Sequence, residues 1–276
     1  MNKKIFLLLT LIFTLTIFSA VNAQEIWRLD GEPDILPRNF RIMDDKNFYA
    51  SASGQPTLSE LKNIFDELKK FAPNPEKIYI VDLRQESHGF ADDYPISWYI
   101  KKNRVNVGKS PSRIEFEEKK LFANLRGKLT EFVPLGNYDT AHFKAVKFAP
   151  KNTFTEKIAA EAAGLKYVRF YALDMTFPAP EVVDEYLKFL SQIDSDAWLH
   201  FHCQAGHGRT TTFLVIYDIL KHPDLPLENI VQRQYSLGGS NLFENEEYEK
   251  NIRLFYEYAH ENSPQSWSQW LMKRGN

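Results

Sequence analysis

The sequence predicts an α/β fold, a central parallel or mixed sheet flanked by helices, and three observations predict it. Ile78-Tyr79-Ile80-Val81 is a β-branched and aromatic run with the character of a buried central strand. Such runs alternate along the chain with segments whose apolar residues recur at helical spacing. A third run, Trp198-Leu199-His200-Phe201, leads straight into a glycine-bearing loop and then a helix-like stretch from Thr211 to Leu220. Strand, tight loop and helix start, in that order, point backbone N–H groups and the positive end of a helix dipole at one spot.

Taken in order, residues 1–23 read as an export signal. Lys3 and Lys4 form the basic start, Ile5 to Phe18 the apolar run, and Val21-Asn22-Ala23 the small-residue cleavage pattern. The run is short for a bilayer span, and no later segment is apolar enough to cross one. No membrane partner is therefore expected after cleavage near Ala23, with a periplasmic or extracellular destination. Residues 24–276 suit one catalytic domain carrying a small inserted β subdomain at roughly 91–160. Gln24 to Asn47 reads as irregular, and Phe48 to Ala52 as a short strand. Thr57-Leu58-Ser59-Glu60 is a capping-box pattern that opens a helix through Leu61, Ile64, Phe65 and Leu68.

Beyond the Ile78 strand, Asp82 to Phe90 is a strongly polar segment at a strand's carboxyl end. Glu115 to Leu125 reads as helix, Leu129 to Leu135 and His142 to Phe148 as strands of the insert, and Tyr167 to Ala172 as a further strand. Pro180 to Ile193 and Glu246 to Asn262 are amphipathic helices, and the tail carries Trp267 and Trp270.

Charge and cysteine usage exclude several function classes. The chain holds 34 Lys and Arg against 36 Asp and Glu, a net charge of −2, and loses only two lysines with residues 1–23. That balance excludes a nucleic-acid binder by electrostatics, so a polyanionic substrate must be drawn by a local basic pocket. A single cysteine, Cys203, rules out an internal disulfide.

That cysteine stands in His202-Cys203-Gln204-Ala205-Gly206-His207-Gly208-Arg209-Thr210. A structural cysteine would be a small buried hydrophobe with no need of flanking glycines or of an arginine directed into its own loop. Loop amides and a helix start favour the thiolate, the nucleophilic form of Cys203. Arg209 can grip two phosphoryl oxygens at once, in a geometry lysine lacks. Cleaving a phosphate ester also requires a proton for the leaving oxygen. Asp174, after the Tyr167 strand and before the Pro180 helix, is the candidate acid; its alternative is a capping residue for that helix.

These residues resemble the cysteine-dependent phosphatases with the His-Cys-x5-Arg-Ser/Thr signature. More narrowly, the chain is similar to the bacterial protein-tyrosine-phosphatase-like inositol polyphosphatases, the cysteine phytases. The narrower likeness rests on Asp82 to Phe90 with Ser97-Trp98-Tyr99 and Gly108-Lys109-Ser110, on Asp174 to Pro178, on His202 to Thr212, and on Arg233-Gln234-Tyr235 with Gly238-Gly239. The resemblance implies a phosphatase α/β core with a small inserted partial β-barrel. It also implies hydrolysis of phytate (myo-inositol hexakisphosphate) through a cysteinyl-phosphate, with no metal and no cofactor.

By position, Cys203 is then the nucleophile, Arg209 the phosphate clamp, and Asp174 the acid and later the base. Thr210 stabilises the thiolate and His202 holds the loop's shape, while Gln204 to Arg209 form the phosphate-binding loop. Arg41, Asp82 and Lys109 are implied substrate contacts, though Arg41 and Lys109 are equally readable as solvated charges. His207 either adds charge beside the phosphate in mild acid, giving an acidic optimum together with Asp174, or only hydrogen-bonds the loop. Lys250 and Arg253 read as solvated ion pairs before a basic wall. The rival readings are a secreted phosphotyrosine or phosphoinositide phosphatase, a rhodanese-type sulfurtransferase, and a non-catalytic phosphate-binding module.

Overall fold

A computed structural model describes residues 25–43, 45, 48–136, 145–261 and 263–275; the export-signal reading of residues 1–23 lies outside them, as does His142 at the start of its expected strand. The strands are β1 (Ile26–Leu29), β2 (Arg41–Ile42), β3 (Ala50–Ser53), β4 (Ile78–Asp82), β5 (His88–Ala91), β6 (Tyr94–Tyr99), β7 (Thr130–Pro134), β8 (Val146–Phe148), β9 (Thr153–Thr155), β10 (Lys166–Arg169) and β11 (Trp198–His202). The helices are α1 (Leu58–Leu68), α2 (Pro111–Leu125), α3 (Glu156–Ala162), α4 (Pro180–Gln192), α5 (Gly208–Lys221), α6 (Leu227–Ser236), α7 (Glu246–His260) and α8 (Trp267–Lys273).

The central sheet runs β10-β4-β11-β3-β2, parallel except for the β2–β3 pair. Strand alternation decides what covers each face. Ile78, Ile80 and Trp198 point to one side, under Leu61, Ile64 and Leu68 of α1 and Ala159 and Ala160 of α3. Val81, Leu199 and Phe201 point to the other, against α4, α5, α6, α7 and α8. α5 is buried nearly all round, which is why its apolar residues show no stripe. The expected tail is the short helix α8, whose Trp267 and Trp270 stack at 5.6 Å and close that core.

A second sheet, β8-β7-β1-β6-β5-β9, curls into a partial barrel over α2. Its own core holds Leu29, Ala91, Ile96, Phe122, Leu125 and Phe132. β1 departs from the irregular segment expected there. Trp27, between β6 and β7, packs on Phe122 and Phe132, so strand pairing from distant residues sets its conformation. Ser110 accepts from the Arg113 amide and starts α2 one turn before the periodic residues begin.

The two sheets are joined by apolar packing, with Phe90 of β5 in one core with Ile78 and Ile80, and by buried charge. Asp82, at the end of β4, accepts from Tyr167 Oη at 2.6 Å and lies 3.1 Å from His88 Nε2 and 3.2 Å from Arg169 Nε. His88 Nε2 also stands 2.9 Å from Glu156 Oε2, whose Oε1 is 2.9 Å from His202 Nε2. Gln55 Nε2 donates to Glu156 as well, at 2.9 Å.

Burial alone would push the His88 imidazole down, but the charge of Asp82 outweighs it and the pKa stands at about 9. Burial likewise opposes ionisation of Asp82 and Glu156. His88 and Arg169 nonetheless hold Asp82, and His202 holds Glu156, well below the usual carboxylate range. The His88 contribution to stability is thus complete below its unfolded pKa of about 6.5 and is lost as pH rises through about 9. The carboxylates act oppositely, losing theirs as pH falls below about 4. Thermal melting from pH 6.5 to 9 should therefore fall by on the order of 5 °C in the native chain and stay flat in His88→Gln; parallel falls in both would refute the assignment.

Candidate active site

The loop from Cys203 to His207 sits at the carboxyl end of β11 and is shaped by one close approach. Gly206 has φ +76°, and a Cβ there would lie 2.5 Å from the backbone carbonyl of Ser53. No residue with a side chain fits. The β3–α1 turn braces the loop further, since the Gln55 amide donates to the Gln204 carbonyl at 3.2 Å. On the other side, Arg41 Nη2 and Asn39 Nδ2 donate to the Gly206 carbonyl at 2.9 and 3.0 Å, and Arg38 donates to that of Gln204. α5 begins at Gly208, and no side chain caps it, so its first amides face the loop without a competing acceptor.

Cys203 is 3% exposed and shares its loop with two further groups the sequence singles out. Thr210 is buried, and its Oγ1 has no hydrogen-bond partner among the described residues. Arg209 is 2% exposed and firmly oriented: Nη1 lies 2.8 Å from Glu86 Oε2, Nη2 lies 3.1 Å from Glu86 Oε1, and Nη2 is 3.1 Å from Asp174 Oδ1. Its Nε is buried and without a partner among the described residues. A terminal-edge grip by Glu86 thus leaves the Nε edge for an anion. Burial would lower the Arg209 pKa, but Glu86 and Asp174 keep it raised. Burial would raise Glu86, but Arg209 and Arg84 hold it well below the usual carboxylate range.

Behind Glu86 stands Arg84, fully buried, with Nε on Glu86 at 2.8 Å, Nη1 on Gln55 at 2.7 Å and Nη2 on Asp30 at 2.8 Å. Asp30 also binds Arg28 at 2.7 Å, so an alternating chain of charges links the partial barrel to the loop's arginine. The site therefore needs Glu86, Arg84, Asn39 and Asn103 as well as the residues expected. Their weak signal was position alone: Glu86 and Arg84 lie in the polar segment after β4.

Asp174 follows β10 and meets Arg209. Its Oδ2 accepts from Asn103 Nδ2 at 2.8 Å. The segment after it is tied to α7, Tyr248 Oη donating to the Thr176 carbonyl at 2.9 Å and the Phe177 amide to Glu247 at 3.0 Å. Capping of α4 falls to Ala179, not Asp174. Asp174, Met175, Arg209, Ser240, Asn241, Leu242, Asn245 and Tyr248 line a cleft of about 280 Å³. A larger groove of about 530 Å³ lies elsewhere, between α4, the end of α5 and α7, and holds none of these groups.

Four expectations change. Asp82 is fully buried with both oxygens engaged in the network between the sheets, so it braces the scaffold and is not a substrate contact. Lys109 is held by Glu117 at 2.8 Å and Asn106 at 3.1 Å in a cleft that shares no lining residue with that of Asp174. Arg41 does reach the loop, but as a brace on Gly206, with Nε left unpartnered among the described residues. His207 is a loop residue 3.4 Å from Asn39, and partial burial followed by Arg41 and Arg38 lowers its pKa, which disfavours the charged form and favours the hydrogen-bonding alternative. Arg253 forms ion pairs with Glu228 and Glu249, both at 2.9 Å. Gln234 and Arg233 bind buried Asp218, and Gly239 lets the turn after α6 approach Thr211 closely.

Comparison with known proteins agrees with this geometry. Residues 81–221 match the model of the PTP-like phytase family, described by inositol hexakisphosphate. The tandemly repeated protein tyrosine phosphatase like phytase of Mitsuokella multacida superposes with a TM-score of 0.82 at 33% identity, over 90% of this chain and 49% of that one. The same holds for the myo-inositol phosphatase of that organism in complex with myo-inositol-(1,3,4,5)-tetrakisphosphate. A PTP-like phytase from Bdellovibrio bacteriovorus gives 0.71 at 26% identity, over 90% of this chain and 95% of that one. Effector protein hopD2 of Pseudomonas syringae pv. tomato is 27% identical over 218 residues, 70% of this chain and 46% of its own length. The chain thus spans about half the length of the first relatives it matches. A loop of this form, an arginine gripped from behind and a family match through β4, β10, β11 and α5 lead to one identification: the chain belongs to the PTP-like phytase family of cysteine-dependent phosphatases.

Proposed function

We propose that the chain hydrolyses phosphomonoesters of myo-inositol hexakisphosphate and lower inositol polyphosphates through a cysteinyl-phosphate. One observation carries the reading: Asp174 stands 3.1 Å from the arginine of the Cys203 loop, so an acid and an anion clamp meet at one cleft. The scissile phosphate seats on the loop amides and the start of α5, with the free Nε edge of Arg209 on its equatorial oxygens. The Cys203 thiolate attacks phosphorus in line, and Thr210 Oγ1 donates to the sulfur as it is regenerated. Asp174 protonates the leaving alcohol and then takes a proton from the water that splits the S–P bond. His202, held by Glu156, keeps the strand end and loop in register. Gln204, Ala205, Gly206, His207 and Gly208 supply loop backbone rather than charge.

The substrate class rests on the family and on the inositol tetrakisphosphate bound by the Mitsuokella multacida relative. Arg38 and Arg41 beside the loop supply local positive charge in a chain whose net charge is −2. The chain is further proposed to reach the periplasm or exterior by cleavage near Ala23, with residues from roughly 91 to 160 as an insert whose sheet β1 completes. Intact-mass analysis of exported protein tests the cleavage site.

Three measurements test the site. Side-by-side turnover of phytate, a phosphotyrosine peptide and a phosphoinositide should favour phytate, and Cys203→Ser should lower it by about 10⁴-fold or more while substrate still binds; preference for the peptide would replace the substrate class. Glu86→Gln should reduce kcat/KM by roughly 10²-fold by loosening Arg209, whereas native kinetics would show that the grip is dispensable. Because burial, Arg41 and Arg38 disfavour its charged form, His207→Gln should leave the pH–rate profile above about pH 6.5 in place; a displaced profile there would restore His207 as a charged group.

A further inference from the structure

Asp174 does not stand alone on its segment. Between β6 and α2 the chain makes a tight turn in which Lys102 and Asn103 both adopt left-handed backbone, with φ of +61° and +54°. Two successive non-glycine residues in that region are strained, and such strain persists only where surrounding contacts hold it. Here the turn delivers one group, the Asn103 amide, which is 6% exposed and donates from Nδ2 to Asp174 Oδ2 at 2.8 Å. An ionised carboxylate only accepts, so the amide nitrogen must face it. The Asn103 Oδ1 is buried with no hydrogen-bond partner among the described residues, so the bond to Asp174 is the amide's one side-chain hydrogen bond among them. The other carboxylate oxygen, Oδ1, faces Arg209 Nη2 at 3.1 Å and so lies toward the phosphate loop.

We propose that Asn103 is the positioning residue of the acid step: by donating to Oδ2 it fixes the rotation of the Asp174 carboxyl, with its other edge turned toward the loop. The inference rests on the reading of Asp174 as general acid. In the step concerned, Cys203 Sγ forms the bond to phosphorus and the P–O bond breaks with its electron pair on the alcohol oxygen. That oxygen takes the proton from the Asp174 carboxyl, leaving cysteinyl-phosphate, neutral alcohol and an ionised Asp174. A carboxyl free to rotate presents its proton away from the leaving oxygen for part of the time, and the amide removes that freedom. The consequence is specific to poor leaving groups, because a phenol acidic enough to depart as an anion needs no proton.

The test uses Asn103→Gly, which deletes the amide and suits the left-handed backbone. kcat/KM is measured on phytate and on p-nitrophenyl phosphate, beside the native protein and Asp174→Asn, with inhibition by inorganic phosphate confirming an intact loop. Asn103→Gly should lose at least about tenfold on phytate and less than about threefold on p-nitrophenyl phosphate, within the range a positioned acid contributes. Equal losses on both substrates, or none on either, would overturn the proposal by showing a scaffold role or no role. If Asp174→Asn itself shows no such selectivity, the reading of Asp174 fails and the inference with it, an outcome that Asn103→Gly alone does not mimic.

Discussion

A buried guanidinium beside a reactive loop needs a fixed rotamer, and in this protein one carboxylate sets it for Arg209. Glu86 grips both terminal nitrogens of Arg209 while Arg84 neutralises Glu86 from behind and Asp30 anchors Arg84. Every one of these side chains is buried, so none can be removed without leaving an unpaired charge, a change that costs about 3–5 kcal/mol. The chain of alternating charges therefore fixes Arg209 more firmly than packing alone would. It also explains why the partial barrel is attached where it is: Arg28 and Asp30 lie on and just after its strand β1.

A second buried network does the same for the strand that leads into Cys203. His88 comes from the partial barrel and Glu156 from the helix that follows its edge strand. Asp82 and His202 end adjacent strands of the central sheet. Their mutual contacts register the two sheets directly beneath Cys203. The favourable pairing opposes the desolvation of several ions through close contacts among His88, Asp82, Glu156 and His202 Nε2, while His202 Nδ1 is buried without a hydrogen-bond partner among the described residues. The family resemblance implied Asp82 as a substrate contact; its full burial among His88, Tyr167 and Arg169 makes it a brace.

The two networks leave the loop lined by backbone, the Arg209 edge and the Cys203 sulfur, with Arg38 and Arg41 braced on its carbonyls. Gly206 lets the loop close onto Ser53, and the uncapped start of α5 supplies amides without a side chain competing for them. Preorganisation of this sort places donors where charge will gather before substrate arrives. The Asp174 segment is docked by the same logic, through Asn103 on one side and Tyr248 and Glu247 on the other.

Residues 202–210 were legible from the chain alone because their chemistry is written in contiguous letters: a lone cysteine, two glycines, an arginine and a hydroxyl within one strand–loop–helix passage. Helices with clear periodicity and strands with β-branched runs were legible for the same local reason. The strand at Ile26–Leu29 and the helix at Leu227–Ser236 were not, since the first takes its conformation from pairing with β6 and β7 and the second was seen only as a motif. Tertiary structure alone decided which partners the reactive groups have. Glu86 is 123 residues from Arg209, and Asn103 is 71 from Asp174. Glutamate and asparagine are common residues with no local signature, and only the folded distance, with the low dielectric around it, gives such a pair its meaning.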